Sequence, residues 1–211
     1  RLWIGGGPSL SARDQVITYS ARNLEPYRGF HIFMRALPEL LERLPKARVL
    51  IVGGNAVSYG RQPTKAASWR EQMLAELDGR LDLSRVHFLG TIPYMQYLAV
   101  LQISSAHVYL TYPFVLSWSF LEAMSAGCHI VASRTAPVEE VITDGENGHL
   151  VDFFDTAALV DRLAEAASRP ERDERLRAAA RRTVISRFDL SAVCLPAYVG
   201  LLRRLIRRGK G

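Results

Sequence analysis

The sequence AHVYLTYPFVLSWSFLEAMSAGCHIVAS occupies residues 106–133 and decides the fold. Its pattern predicts a buried strand at residues 107–112, a turn that begins at Pro113, a helix from about Ser119 and a second strand at residues 129–132. Where a strand leads into a helix, the unpaired N–H groups of the helix start point to the edge of the sheet at which the strand ends. Phosphate groups bind at such helix starts.

Four more apolar strands are predicted elsewhere in the chain, at residues 16–20, 48–52, 86–89 and 149–151, and a short helix is predicted at residues 139–142. Because helical patterns separate the strands, the sequence predicts an α/β fold with a doubly wound, Rossmann-like parallel sheet. Ligands of such folds bind outside the carboxyl ends of the strands. The candidate site is therefore formed by the loops that follow Ser20, Val52, Leu89, Tyr112 and Ala132.

The chain is predicted to have three segments. Residues 1–15 are interpreted as a linker from a missing N-terminal domain, residues 16–188 as the Rossmann-like domain and residues 189–211 as an amphipathic, basic C-terminal helix. The helix suits either an anionic membrane surface or docking on the rest of the protein. No run of about 18 uninterrupted apolar residues occurs, so no membrane span is expected.

The composition is that of a soluble globular protein, with 211 residues of which 48% are hydrophobic and 23% charged. Arginine makes most of the net charge of +6, since only Lys46, Lys65 and Lys210 are lysines among 27 basic residues. A GC-rich genome and phosphate binding both explain this excess. Basic residues are not interleaved with aromatic ones, so no nucleic-acid binding is expected.

The cysteines and histidines give no sign of a disulfide or a metal site. Cys128 and Cys194 lie in apolar surroundings without a CxxC spacing, which predicts a reducing, cytoplasmic location. The five histidines are scattered and no Asp-x-Asp pair occurs, so no metal ion is expected.

Two arginines flank the loop after the first strand, where residues 21–29 read ARNLEPYRG. Cations near a helix start oppose the helix dipole and gain little there. Arg22 and Arg28 are therefore either a surface pair or the ligands of an anion, and the anion is favoured because a bidentate guanidinium binds phosphate well.

Residues 119–127, SFLEAMSAG, resemble the second half of the Glu-x7-Glu signature of retaining group 1 glycosyltransferases, the GT-B enzymes that include glycogen synthases and bacterial mannosyltransferases. The resemblance extends from about Val16 to Phe188. Arg22 and Arg28 stand where the family has an arginine and, before a glycine, a lysine. The turn DGENG at residues 144–148 resembles a structural turn of the family.

The resemblance implies that the chain is the C-terminal half of a GT-B fold, inactive alone. It would bind a UDP- or GDP-linked sugar without a further cofactor, and a hexosyl group would pass to an acceptor sugar or lipid held by the missing N-terminal domain. Arg22 and Arg28 would be the catalytic pair that stabilises the diphosphate. The implied donor-binding residues are Gly54, Gly90, Thr91, Ile92, Ser117, Trp118, Ser119, Phe120 and Glu122. The location would be cytoplasmic or peripheral at the inner face of the membrane.

The chain departs from the family at two places. Phe114 stands where the first signature glutamate is expected, and Ala136-Pro137 replaces two glycines. Loss of a carboxylate that holds the donor sugar leaves a non-catalytic interaction domain as an alternative. A dinucleotide-binding Rossmann domain is disfavoured, because the glycine-rich stretch at residues 5–7 precedes the first strand.

Two residues keep two interpretations each. Glu122 is either the ribose ligand that the resemblance implies or part of a capping box with Ser119, three residues earlier. Trp118 is either a stacking platform or a core aromatic residue.

Overall fold

A parallel sheet of six strands forms the centre of the computed structural model, which describes residues 2–3, 9–168 and 174–208. The sheet order is β5-β4-β3-β6-β7-β8, so the direction of winding reverses between β3 and β6. A crevice forms at such a reversal, outside the carboxyl ends of the two strands. The strands are β1 (Leu2–Trp3), β2 (Ser9–Leu10), β3 (Val16–Asn23), β4 (Arg48–Gly54), β5 (Val86–Gly90), β6 (Ala106–Tyr109), β7 (Ile130–Ser133) and β8 (His149–Val151).

Helices cover both faces of the sheet, which confirms the predicted doubly wound α/β fold. One face of β3 presents Ile17 and Tyr19 to α1 and α6, while Val16 faces α3. α4 and α7 pack together over β6 and β7. The helices are α1 (Phe30–Arg43), α2 (Trp69–Glu76), α3 (Tyr94–Gln102), α4 (Trp118–Ser125), α5 (Ala136–Glu139), α6 (Thr156–Ser168), α7 (Glu174–Phe188) and α8 (Leu195–Arg208), and a π-helical turn at Leu190–Cys194 leads into α8.

Three predicted boundaries were wrong. The strand predicted at residues 107–112 ends at Tyr109, because beyond it the Thr111 N–H donates to the Ser133 hydroxyl and leaves the ladder. The strand predicted at residues 16–20 continues to Asn23, which pairs with Gly54 after a bulge. The helix predicted at residues 139–142 is α5, three residues earlier, with Pro137 in its first turn.

The described residues of the predicted linker include two short strands. β1 and β2 pair as an antiparallel ribbon, and Leu10 is buried against Val16, Leu50 and Val100. The stretch that leads into the domain therefore packs on the sheet. The division of the chain into three segments stays a prediction.

The C-terminal segment forms the predicted amphipathic helix, and none of its described side chains is buried. The helical run Glu174–Arg207 contains a segment that is long and apolar enough to cross a membrane by length and composition alone, and no part of that segment is buried. A search for uninterrupted apolar runs misses this segment because it contains polar residues, and the expectation that no segment spans a membrane stays a prediction. The exposed apolar residues of α8 are Leu195, Tyr198, Leu201, Leu202, Leu205 and Ile206.

His107 makes the stability of this fold depend on pH. It is fully buried in β6, with its Nδ1 2.8 Å from Thr18 Oγ1. Burial lowers the pKa of His107 from the ordinary value of 6.5 to about 4. Between those values the unfolded chain binds a proton that the folded chain does not, so stability falls as the pH falls through this window.

We expect His107 alone to lower the free energy of unfolding by about 3 kcal/mol between neutral pH and pH 4. Urea unfolding at a series of pH values measures this loss. His107→Gln, which stays polar but does not titrate, should flatten the curve. An unchanged slope in the variant would assign the loss to other groups.

Candidate functional site

A cavity of about 390 Å³ lies at the carboxyl ends of β3 and β6, where the sheet reverses. Its lining includes Arg22, Arg28, Ser117, Trp118 and Ser119, which the sequence analysis singled out. The cavity therefore brings together the two arginines and the start of α4. Phe120 lies outside it and is fully buried, with its ring 4.6 Å from that of Tyr109.

Arg28 is buried, with only 9% of its surface exposed, so the interpretation as a surface arginine was wrong for this residue. Its Nη1 donates to Thr111 Oγ1 at 3.1 Å and to the Tyr109 hydroxyl at 3.4 Å. Both acceptors are neutral. Among the described residues no acceptor of this guanidinium carries a charge, so its positive charge remains available to an anion in the cavity.

The backbone holds Arg28 rigidly at the end of the turn Pro26–Arg28. The Tyr19 hydroxyl donates to the Arg28 carbonyl at 2.8 Å. Gly29 follows with φ 67°, a left-handed conformation, and also caps the start of α1. A Cβ atom on Gly29 would lie 2.2 Å from the Cβ of Leu110, so only glycine fits here.

Phe114, at the position of the missing glutamate, packs against Arg28. Its ring centroid lies 5.4 Å from the Arg28 guanidinium, as does that of Tyr59 on the same cation. The two rings contact each other, with centroids 4.9 Å apart. Each ring attracts the cation and shields it from water.

A buried carboxylate holds Tyr59 in place. Glu25 is 1% exposed and accepts hydrogen bonds from the N–H groups of Ser58, Tyr59 and Gly60 at distances between 3.0 and 3.3 Å. Asn23 Nδ2 adds a bond of 2.7 Å to the Ser58 hydroxyl. The loop after β4 is thereby fastened to the loop after β3, and its tyrosine covers Arg28.

Glu25, Tyr59 and Tyr109 were not among the predicted site residues. Their loops and strands lie far apart in the chain and meet only in the folded protein. The one available signal was an acidic residue within the arginine-flanked stretch ARNLEPYRG.

The start of α4 rules out the predicted capping box. The cap residue is Ser117, whose N–H donates to the Tyr109 hydroxyl at 3.0 Å. Ser119 is already inside the helix and Glu122 lies beyond its first turn. By position, the N–H groups of Trp118 and Ser119 have no acceptor within the helix. Trp118 is 85% exposed, so it is not a core residue.

Glu122 faces two tyrosines of α3. Its carboxylate raises the pKa of Tyr94. Burial, and to a smaller extent Glu122, raise the pKa of Tyr97. Both tyrosines line a second cavity, so Glu122 lies next to the wall of that cavity, although it lines neither cavity itself.

The second cavity has a volume of about 480 Å³ and shares Ala21, Arg22 and Asn23 with the first. It contains the predicted residues Thr91 and Ile92, next to exposed Arg22. Gly54 and Gly90 line neither cavity. A Cβ on Gly54 would lie 2.6 Å from Asn23 Oδ1, and Gly90, with φ 66°, turns the chain into Thr91. These glycines shape the site through the backbone.

No group of three or more His, Cys, Asp or Glu side chains arranged to hold a metal ion occurs among the residues that the structure describes. Burial raises the pKa of the Cys128 thiol to about 12, so this cysteine stays protonated and unreactive at neutral pH.

Glu25→Gln should release the loop over Arg28. The neutral amide weakens charge-assisted bonds worth about 1.5–3 kcal/mol each, so the amide hydrogens of Ser58, Tyr59 and Gly60 should exchange more than about tenfold faster. Hydrogen exchange followed by NMR measures this. Glu71→Gln is the matched control, since Glu71 accepts from the Ala67 N–H of the same loop. Equal protection in both variants would contradict the assigned role of Glu25.

The chain matches the sequence model of the family Glycosyl transferases group 1 over residues 8–183. It is 31% identical over 194 residues to the phosphatidyl-myo-inositol mannosyltransferase of Mycobacterium leprae. The aligned region covers 90% of this chain and 46% of that protein. The chain thus spans less than half the length of this curated relative.

Two solved structures share the fold. The HepE protein of Anabaena in complex with UDP-glucose has a TM-score of 0.73 at 21% identity, over 90% of this chain and 49% of that one. The C-terminal domain of a group 1 family protein from Francisella tularensis has a TM-score of 0.69 at 17% identity. That match covers 83% of this chain and 87% of the Francisella domain. The match to the family model shows that this chain belongs to the group 1 family of glycosyl transferases, and the solved structures show that it shares their fold, that of GT-B enzymes.

Proposed function

We propose that this chain is the C-terminal, donor-binding half of a retaining hexosyltransferase, and that its polar cavity binds the diphosphate of a UDP- or GDP-linked sugar. The meeting of Arg22 and Arg28 with the start of α4 around one cavity carries the proposal. The match to less than half of the mannosyltransferase supports the placement as one half of a longer enzyme. The shared fold of the Francisella C-terminal domain supports its placement as the C-terminal half.

The arginines would act on the leaving group. Cleavage of a glycosyl–phosphate bond leaves negative charge on the diphosphate, and a cation fixed beside it before the reaction stabilises that charge without reorganisation. Arg28 is fixed in this way, and exposed Arg22 can close on the bound donor. The N–H groups at Trp118 and Ser119 would receive further phosphate oxygens. In this proposal the acceptor attacks from the face of the departing phosphate, without a protein nucleophile or a metal ion.

The second cavity would take the nucleoside. It adjoins the polar cavity at Arg22, and Thr91 and Ile92 lie in its wall. Main-chain groups of that wall would contact the base, and Glu122, which borders the cavity through Tyr94 and Tyr97, would bind the ribose hydroxyls.

The acceptor would be a lipid-linked alcohol or a sugar held by residues that precede this chain. The name of the Mycobacterium relative specifies transfer of mannose to phosphatidyl-myo-inositol, which supports a lipid acceptor. Transfer would then take place in the cytoplasm, at the inner face of the membrane. The exposed apolar side of α8 suits either that membrane or the preceding half of the protein, and sedimentation with anionic liposomes separates the two.

Nucleotide-sugar binding tests the donor site directly. We expect the UDP or GDP form of a hexose to raise the melting temperature of this chain, because a ligand at a hundred times its Kd adds about 2.7 kcal/mol of stability. A scan of UDP- and GDP-sugars also identifies the base. The absence of any shift, with no heat in calorimetry, would favour a non-catalytic interaction domain that kept the fold.

Arg28→Ala should weaken nucleotide-diphosphate binding, and turnover in the longer enzyme, by at least about tenfold, since it removes charge-assisted bonds of about 1.5–3 kcal/mol each. The control variant Arg175→Ala removes an exposed arginine that lines neither cavity. This variant should bind the nucleotide diphosphate with the affinity of the wild-type chain. Calorimetry on both variants gives the comparison. Equal affinities would remove Arg28 from the site.

A further inference from the structure

A third cavity, of about 850 Å³, lies on the other side of the loop that ends the polar cavity. Residues 115–118 line both, so one short segment separates the two spaces. The remaining walls come from Phe114, Leu121 of α4, Ala136 and Pro137 of α5, and Phe188 at the end of α7. The volume lies in the range of small-molecule sites.

The lining of this cavity suits an uncharged, apolar ligand. Glu140 and Arg187 are its only charged side chains, and they have opposite signs. Arg187 already donates to the Glu140 carbonyl at 2.8 Å, and its guanidinium lies 5.2 Å from the ring of Phe188. The lining as a whole carries no net charge to attract a phosphate, and it offers few polar groups to sugar hydroxyls. The other walls are almost entirely hydrocarbon.

The residues at which the chain departs from the family pattern meet in this cavity. Phe114, in place of the glutamate, and Ala136-Pro137, in place of two glycines, all line it. Each replacement adds apolar surface to the same space. Val115 and Trp118, which are 66% and 85% exposed, extend this surface towards the polar cavity.

We infer that this cavity binds the hydrocarbon chain of the acceptor, an acyl or isoprenoid tail, while the donor occupies the polar cavity. The inference rests on the proposed function. The shared segment 115–118 supports it, because a tail in the apolar cavity and a diphosphate in the polar one lie on either side of a single loop. The head group of such an acceptor then lies near the donor sugar.

A series of alcohols from 1-butanol to 1-octanol tests the site on this chain. Burial of each further methylene group should tighten binding about fourfold until the cavity is full. The fluorescence of Trp118, with Trp118→Phe to identify its signal, reports binding. Saturating nucleotide diphosphate should leave these affinities unchanged, because the two ligands occupy separate cavities. A flat series, or competition between nucleotide and alcohol, would overturn the inference.

Substitutions at Ala136 test the apolar cavity separately, because Ala136 is exposed and lines this cavity but neither of the other two. Ala136→Asp places a charge in the cavity, so it should weaken octanol binding at least about tenfold, and Ala136→Phe, which occupies part of the cavity, should weaken it less. Leu83→Asp, at a 55% exposed residue outside these cavities, should bind octanol normally. Normal octanol binding by both Ala136 variants would place the alcohol elsewhere and overturn the inference.

Two further measurements separate the possible failures. Nucleotide binding by the wild-type chain tests the proposed function. If the chain binds no nucleotide, its affinities for the alcohols can still be measured. In the longer protein, octanol binding should persist. Its loss there would show that the preceding half of the protein fills the cavity, and would overturn the acceptor site while leaving the donor site intact.

Discussion

The guanidinium of Arg28 is buried against groups that carry no charge, and the architecture of the site follows from this. A buried cation without a countercharge costs several kcal/mol of desolvation. Two hydroxyls and the faces of Phe114 and Tyr59 offset only part of this cost, at roughly 0.5–2 kcal/mol for each ring. Glu25, a buried carboxylate in the same lining, already accepts hydrogen bonds from three backbone N–H groups. The uncompensated charge therefore faces the cavity, where an anion can satisfy it.

The sheet determines where this cation can lie. β3 and β6 are neighbours, and the chain leaves them in opposite directions, so the loops that follow them enclose a space that no helix fills. The bond from Tyr19 to the Arg28 carbonyl links the arginine to the aromatic core, where Tyr19 stacks on Phe33 at 5.3 Å. The position of the charge is thus determined by packing.

Local patterns were enough to predict the six strands, the two arginines and the helix start at the sheet edge. They failed where a residue had two local solutions. Ser117 and Ser119 could both begin α4, and the contact with the hydroxyl of Tyr109, at the end of β6, favours Ser117. The exposure of Trp118 could not be predicted either, because the apolar pattern of a helix of only eight residues does not show which side of it is buried. Glu25 and Tyr59 belong to loops whose contact arises only when β3 and β4 pair.

Gly29 fixes the position of the Arg28 backbone. This single residue ends the turn of Arg28 and begins α1, a helix of 14 residues whose apolar side is buried in the core. Displacement of Arg28 by even an ångström would have to shift the whole helix or drive the backbone into Leu110. Adjustments on ligand binding are therefore left to exposed side chains of the lining, such as Trp118 and Arg22, which can move without disturbing the interior. The rigid wall at Arg28 therefore limits which shapes of ligand fit the pocket, while the exposed side chains adapt to the ligand that is bound.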